Sequence, residues 1–148
     1  MARSTDRVEV LVVDDERVIR EGLTRKLVSA GFDVRLASDG RAAFQAFLLE
    51  RPDLVLLDVM MPGMDGYATC EEMRKIDRET PIVFLSALDS EQDQIRGLEV
   101  GADDYVLKTA SEAMLLARVK KALERAGRFS RIEAPAGMTK IQADIYRL

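Results

Sequence analysis

Short apolar runs recur along this chain, and each is followed by a longer stretch whose apolar residues fall three and four apart. Val8 to Val13 is a nearly continuous aliphatic run, the pattern of a buried strand. Residues 16–30 follow with Val18, Ile19, Leu23, Leu27 and Val28 at helical spacing, and Gly31 suits the end of that helix. Phe32 to Ala37 reads as a second strand. Ser38 or Asp39 can cap a helix that carries Ala43, Phe44, Phe47 and Leu48 on one face and stops before Pro52. The cycle repeats three more times. Leu54 to Leu57 precedes a helix over 65–76. Pro81 to Leu85 precedes one capped by Asp89 or Ser90, with Ile95, Leu98 and Val100 as its apolar positions before Gly101. Asp104 to Leu107 precedes one opened by Ser111 and Glu112, with Leu115, Leu116, Val119 and Leu123 facing inward up to Gly127. Strands that alternate with helical crossovers predict an α/β fold: a five-stranded parallel sheet covered by helices on both faces.

The pattern breaks after Gly127. Residues 1–127 are therefore expected to form one domain, and 128–148 a linker with a short tail helix. Pro135 and Gly137 mark the linker. Met138, Ile141, Ile145 and Leu148 then fall at three- and four-residue spacing, and Thr139 with Gln142 fits a capping box. A helix of about ten residues is marginal alone in water, so it is expected to dock on its own domain, a second copy or a further domain.

Composition narrows the chemistry. With no histidine in 148 residues, histidine-based zinc sites, Ser-His-Asp triads and phosphohistidine carriers are excluded. One cysteine, Cys70, excludes an internal disulfide framework and reads as an ordinary helix residue. No apolar stretch is long enough to span a bilayer and the first residues lack a signal-peptide core, so the expected location is the cytoplasm, away from membranes. The net charge of −4 divides unevenly: residues 118–148 hold eight Lys or Arg and three Asp or Glu, giving +5 and leaving −9 for the first 117. An acidic body with little aromatic content argues against direct nucleic-acid contact by this domain.

Three carboxylates end two of the strands: Asp14 and Asp15 after the first, Asp58 after the third. In an open parallel sheet these positions share the carboxyl edge, where ligands bind. Ser86 ends the fourth strand and Lys108 the fifth. Clustered carboxylates repel, and a divalent cation such as Mg²⁺ relieves the repulsion. Metal and ammonium together can neutralise a transferring phosphoryl group, the hydroxyl can donate to one of its oxygens, and Asp58 can attack phosphorus. Each residue also has a plainer reading. Asp14 and Asp15 could cap a helix, Ser86 could serve a turn, Lys108 could be a solvated charge, and Tyr105 could be half-buried packing. Asp58 is harder to dismiss, because a charge closing an apolar strand is costly unless compensated.

Four segments in order carry a resemblance. They are Leu11-Val12-Val13-Asp14-Asp15-Glu16, the run from Leu56 to Gly66 through Asp58 and Met61-Pro62-Gly63-Met64-Asp65, Leu85-Ser86-Ala87, and the run from Gly101 to Lys108 through Asp103, Asp104 and Tyr105. Over residues of about 6–127 the chain resembles the receiver domain of two-component response regulators, which have the flavodoxin-like, doubly wound fold. The resemblance implies that Asp58 accepts a phosphoryl group from a histidine kinase or phosphotransfer protein. It implies that Asp15 and Asp58 ligate Mg²⁺ with the Met60 carbonyl, Asp14 acting through water. It further implies that Ser86 and Tyr105 rearrange as a switch while Lys108 pairs with Asp58 and then with the phosphate. Any catalysis would be self-directed, phosphorylation from a donor and autodephosphorylation, rather than metabolic turnover.

One residue departs from the family's pattern. Proline usually follows the lysine through a cis bond, whereas Thr109 follows Lys108 here. A cis bond to a non-proline residue costs about 2.5–4 kcal/mol, so a trans bond is expected, with a shift of Lys108. The face of residues 89–126 is a candidate homodimer surface, with Asp103 and Asp104 facing Arg118 and Lys121 of a second copy. Two functions remain at this stage: a phosphorylation-dependent switch, or a constitutive interaction module held in one state by the Thr109 departure and the tail. An aspartate-based phosphatase of the haloacid dehalogenase type would need a second carboxylate two residues after Asp58, where Met60 stands.

Overall fold

The branched aliphatic residues of the apolar runs do form strands, and the computed structural model describes residues 7–128. The elements are β1 (Glu9–Val13), α1 (Arg17–Ser29), β2 (Asp33–Ala37), α2 (Gly40–Leu49), β3 (Leu54–Leu57), α3 (Gly66–Ile76), β4 (Ile82–Ser86), α4 (Glu91–Glu99), β5 (Asp104–Leu107) and α5 (Glu112–Arg125). The strands form one parallel sheet in the order β2-β1-β3-β4-β5. Chain order reverses between β1 and β3, the crevice where doubly wound sheets bind ligands.

Alternation along the strands sends side chains to two cores. Val10, Val12, Leu54 and Leu56 pack with Leu23 and Leu27 of α1 and Leu115, Val119 and Leu123 of α5. Leu11, Val13, Val55 and Leu57 pack on the other face with Ala43 and Phe47 of α2 and Cys70 and Met73 of α3. Cys70 is thus a core residue, and burial pushes its thiol up to about 11. The expected α/β sandwich is what forms.

Four helices begin with a side chain that accepts the backbone N–H three residues on: Asp39 from Ala42, Asp65 from Ala68, Ser90 from Asp93 and Ser111 from Met114. Such a cap is worth about 1 kcal/mol. At α1 no side chain does this; Asp14 instead accepts the N–H of Glu16 at 2.9 Å, within the loop.

Some expected inward positions face outward. Val18 is 76 % exposed, and Val28, Ile95 and Leu98 are about half exposed; α4 buries only Gly97. The expected cross-pairs between copies are also taken up within the chain. Arg118 meets Asp104 at 3.2 Å, and Asp103 is bound by Arg74 at 3.0 Å. The tail helix expected over 138–148 lies outside the described residues. Among those residues, no helix is long and apolar enough to cross a membrane.

Candidate functional site

Register alone brings the acids together. Val13 pairs with Leu57 across β1 and β3, so Asp14 and Asp58 leave adjacent strands side by side. Their backbones continue the ladder: the Asp58 N–H donates to the Val13 carbonyl at 2.9 Å and the Asp14 N–H to that of Ala37 at 3.2 Å. Ser86 and Leu107 pair at the ends of β4 and β5, and the Lys108 N–H donates to the Ser86 carbonyl at 2.8 Å. Asp14, Asp58, Ser86 and Lys108 therefore converge on one edge of the sheet.

The Lys108 ammonium lies 3.0 Å from Asp14 Oδ2 and 3.3 Å from Asp58 Oδ2, bridging the two acids. Both carboxylates are buried, at 2 % and 3 % exposure, while the lysine is partly open to solvent. Burial, then repulsion from Asp14, pushes the Asp58 carboxyl up to about 6, with Lys108 and the Met60 N–H opposing the rise. Burial pulls Lys108 down, but its contacts with Asp14 and Asp58 outweigh that and leave it raised. No peptide bond among the described residues is cis, so Lys108–Thr109 is trans as expected. From this trans bond Lys108 still contacts both acids. Its backbone bond to Ser86 holds it at the edge, and its long side chain spans the remaining gap.

Asp15 and Glu16 are exposed, and their carboxylate oxygens lie within 4.8 Å of each other and of Asp14. Asp58 Oδ1 is buried with no hydrogen-bond donor among the described residues. A buried carboxylate oxygen left orphaned is costly, and a hard cation would satisfy it. The donor set, all oxygens on an acidic edge, fits Mg²⁺.

Ser86 is fully buried, and its Oγ accepts the Leu88 N–H at 3.1 Å. Tyr105 is turned inward, and its hydroxyl donates to the Leu88 carbonyl at 2.9 Å. The two proposed switch residues thus hold opposite sides of one residue in the loop before α4. The sequence assigned no role to three residues beside the site. A Cβ on Gly66 would lie 2.1 Å from the Asp58 carbonyl oxygen, and one on Gly97 would lie 2.7 Å from the Tyr105 ring. Tyr67 donates its hydroxyl to the Asp93 carbonyl at 3.0 Å. A glycine opening a helix was the available signal for Gly66; nothing in the pattern marks the other two.

Comparison with known proteins assigns the family. The family model for the response regulator receiver domain matches residues 10–120. The chain belongs to this family. Among curated relatives, it is 48 % identical over 120 residues to probable transcriptional regulator ycf27 of Cyanophora paradoxa, covering 81 % of this chain and 50 % of the relative. It is 46 % identical over 118 residues to response regulator MprA of Mycolicibacterium vanbaalenii, covering 80 % of this chain and 51 % of that one. The receiver domain therefore spans about half the length of the curated relatives it matches. Among solved structures, the BeF3-activated N-terminal receiver domain of Klebsiella pneumoniae RstA aligns with a TM-score of 0.75 at 39 % identity, covering 78 % of this chain and 97 % of that chain. The receiver domain of Francisella response regulator 1452 aligns with a TM-score of 0.76 at 36 % identity, covering 80 % and 98 %.

Proposed function

We propose that this receiver domain is a phosphorylation-dependent switch that takes a phosphoryl group onto Asp58 from a histidine kinase or phosphotransfer protein. One observation carries the reading: Asp58 is buried at the end of β3 with one oxygen orphaned and the other 3.3 Å from the Lys108 ammonium. A structural ion pair has no use for the orphaned oxygen; an acceptor does.

A carboxylate with its proton held to about 6 is ionised, and hence nucleophilic, at neutral pH. An Asp58 oxygen attacks phosphorus, the O–P bond forms, and the P–N bond to the donor imidazole breaks with its electron pair leaving on nitrogen. Asp14, Asp15 and Asp58, with the Met60 carbonyl, would hold Mg²⁺, which supplies positive charge for the phosphoryl oxygens. Lys108 stands beside both acids and moves its contact from the carboxylate to the phosphate. The Ser86 hydroxyl leaves the Leu88 N–H to donate to a phosphoryl oxygen. Losing that bond loosens the loop to which Tyr105 is also tied, so the face of residues 89–126 changes. That face would bind a partner or a second copy. Water attack on the acyl phosphate resets the switch, so the chemistry acts on the domain itself. The relatives named as transcriptional regulators make control of transcription a natural output where the domain is joined to one that binds DNA.

The test is chemical trapping. After incubation with acetyl phosphate and Mg²⁺, borohydride reduces an acyl phosphate to homoserine. Reduction confined to Asp58 is the expected result; reduction at another acid, or at none, overturns the assignment.

A further inference from the structure

Asp15 is exposed in the loop between β1 and α1, so packing does not fix it where a cation would need it. A ligand on a loose loop binds weakly, because the loop must be ordered each time the cation arrives. This loop also lacks the restraint that the other helices have. Helices α2 to α5 each open with a side-chain cap, whereas α1 has none and its first turn holds no acid.

Arg20 supplies a restraint of another kind. It lies one turn into α1, half-buried, and its side chain folds back so that Nη1 donates to the Asp14 carbonyl at 2.6 Å. That carbonyl belongs to the peptide unit joining Asp14 to Asp15. A peptide unit is planar, so fixing its oxygen fixes the Asp15 nitrogen and narrows where the Asp15 Cα can lie. The other contacts of Asp14 act elsewhere. Its N–H donates to the Ala37 carbonyl at 3.2 Å, Oδ1 accepts the Glu16 N–H at 2.9 Å, and Oδ2 meets the Lys108 ammonium at 3.0 Å. Asp15 is thus held from both sides, by Arg20 before it and by the Asp14 carboxylate after it.

The partner that Arg20 takes is informative. Glu16 stands four residues before it, a spacing at which a glutamate and an arginine can pair along a helix. Among the described residues no such pair forms, and the Glu16 carboxylate groups instead with Asp14 and Asp15 within 4.8 Å. The next acid on the helix, Glu21, is held by Arg17 at 2.8 Å. An arginine that leaves a nearby acid to hold a backbone carbonyl beside clustered acids serves their placement rather than their neutralisation.

We propose that Arg20 is a positioning residue for the cation: by holding the Asp14–Asp15 peptide it presets the Asp15 carboxylate and so raises Mg²⁺ affinity. The proposal rests on the reading of Asp14, Asp15 and Asp58 as the Mg²⁺ site. Its sign is opposite to that of plain electrostatics. A guanidinium near a cation site repels the cation, so a residue acting through charge alone would strengthen Mg²⁺ binding when removed. A residue acting through the peptide weakens binding when removed.

Titration of the whole chain with Mg²⁺, followed by the amide NMR shifts of the acidic edge, tests it in wild type, Arg20→Met, Arg20→Lys and Arg17→Met. Methionine keeps the stem of the side chain and loses its charge and donors. Arg20→Met should weaken Mg²⁺ binding about tenfold, the scale on which outer partners of metal ligands act. Arg20→Lys, which keeps a donor, should lose less but still bind more weakly than wild type. Arg17→Met removes a charge from the same turn without freeing the loop, and should bind Mg²⁺ as well as wild type or better. With acetyl phosphate, the Mg²⁺ concentration giving half the maximal rate should rise in Arg20→Met, while the rate at saturating Mg²⁺ stays within about twofold of wild type. Unchanged or tighter Mg²⁺ binding in Arg20→Met overturns the proposal, and so does an equal loss in Arg17→Met. Should Arg20→Met fail to fold, Arg20→Lys decides, and binding equal to wild type overturns the proposal. If the wild type binds no Mg²⁺, the metal site and the role of Arg20 fall together. If it binds Mg²⁺ but takes no phosphate, the acceptor reading falls alone and the titrations still judge Arg20.

Discussion

Asp58 is strained electrostatically by its setting, and that strain sets a pH dependence. Its carboxyl is raised from 3.8 to about 6 in the folded chain, so between those values the native state holds a proton that the unfolded state has released. Without Mg²⁺, the penalty is absent below about pH 4, grows as pH rises, and is fully present above about pH 6, on the order of 3 kcal/mol. Asp58→Asn should therefore stabilise the metal-free domain by roughly 1–3 kcal/mol at pH 7.5, with the gain vanishing near pH 4. Urea denaturation across that range checks it; a gain independent of pH would contradict the assignment. Lys108 is the opposing charge, and Lys108→Ala should slow phosphorylation by acetyl phosphate by roughly 10²-fold, as loss of a transition-state donor does. The identities of the clustered residues were legible in the sequence because strand ends in a parallel sheet share an edge. Their mutual distances were not. Whether Lys108 reaches the acids from a trans bond depends on backbone placement that no residue pattern encodes.

At the level of elements, two glycines set how closely the helices approach the site. Adding a methyl group at Gly66 drives Cβ into backbone, 2.1 Å from the Asp58 carbonyl oxygen, where nothing flexible can yield. Gly66→Ala should cost about 3 kcal/mol in urea denaturation, the upper range for overpacking. At Gly97 the obstacle at 2.7 Å is the Tyr105 ring edge, which can swing, so Gly97→Ala should cost about 1–2 kcal/mol. Among the described residues periodicity placed every strand and helix, but it did not say which apolar residues are covered. Leu23 and Leu27 of α1 face the sheet while Val18 and Val28 on the same helix are exposed. In α4 the spacing of Ile95 and Leu98 promised an inward face, whereas a glycine against Tyr105 makes the packed contact. A close approach bought by a missing side chain leaves no apolar signal to read.

Across the whole molecule, the two cores lie on opposite faces of one sheet and close within the described residues. Arg128, just past α5, donates to the Asp53 carbonyl at 2.5 Å before β3, tying the last described residue to the far edge of the sheet from the acids. Arg128→Ala should lower stability by roughly 1–3 kcal/mol, the scale of a charge-assisted hydrogen bond, with phosphorylation unchanged. The alternation of runs and helical stretches made the sheet and its two covered faces legible. The Arg128 tie was not, because it joins residues far apart in sequence with no shared pattern. The acidic edge, the cores and the face of residues 89–126 are parts of one proposition, that charge added at Asp58 is read out at a distant face. Intact mass after incubation with acetyl phosphate, with and without Mg²⁺ and alongside Asp58→Ala, tests that proposition at its source. The account predicts a Mg²⁺-dependent gain of one phosphoryl group in the wild type and none in the variant. No gain under conditions that phosphorylate a control receiver, or an equal gain in Asp58→Ala, would contradict it.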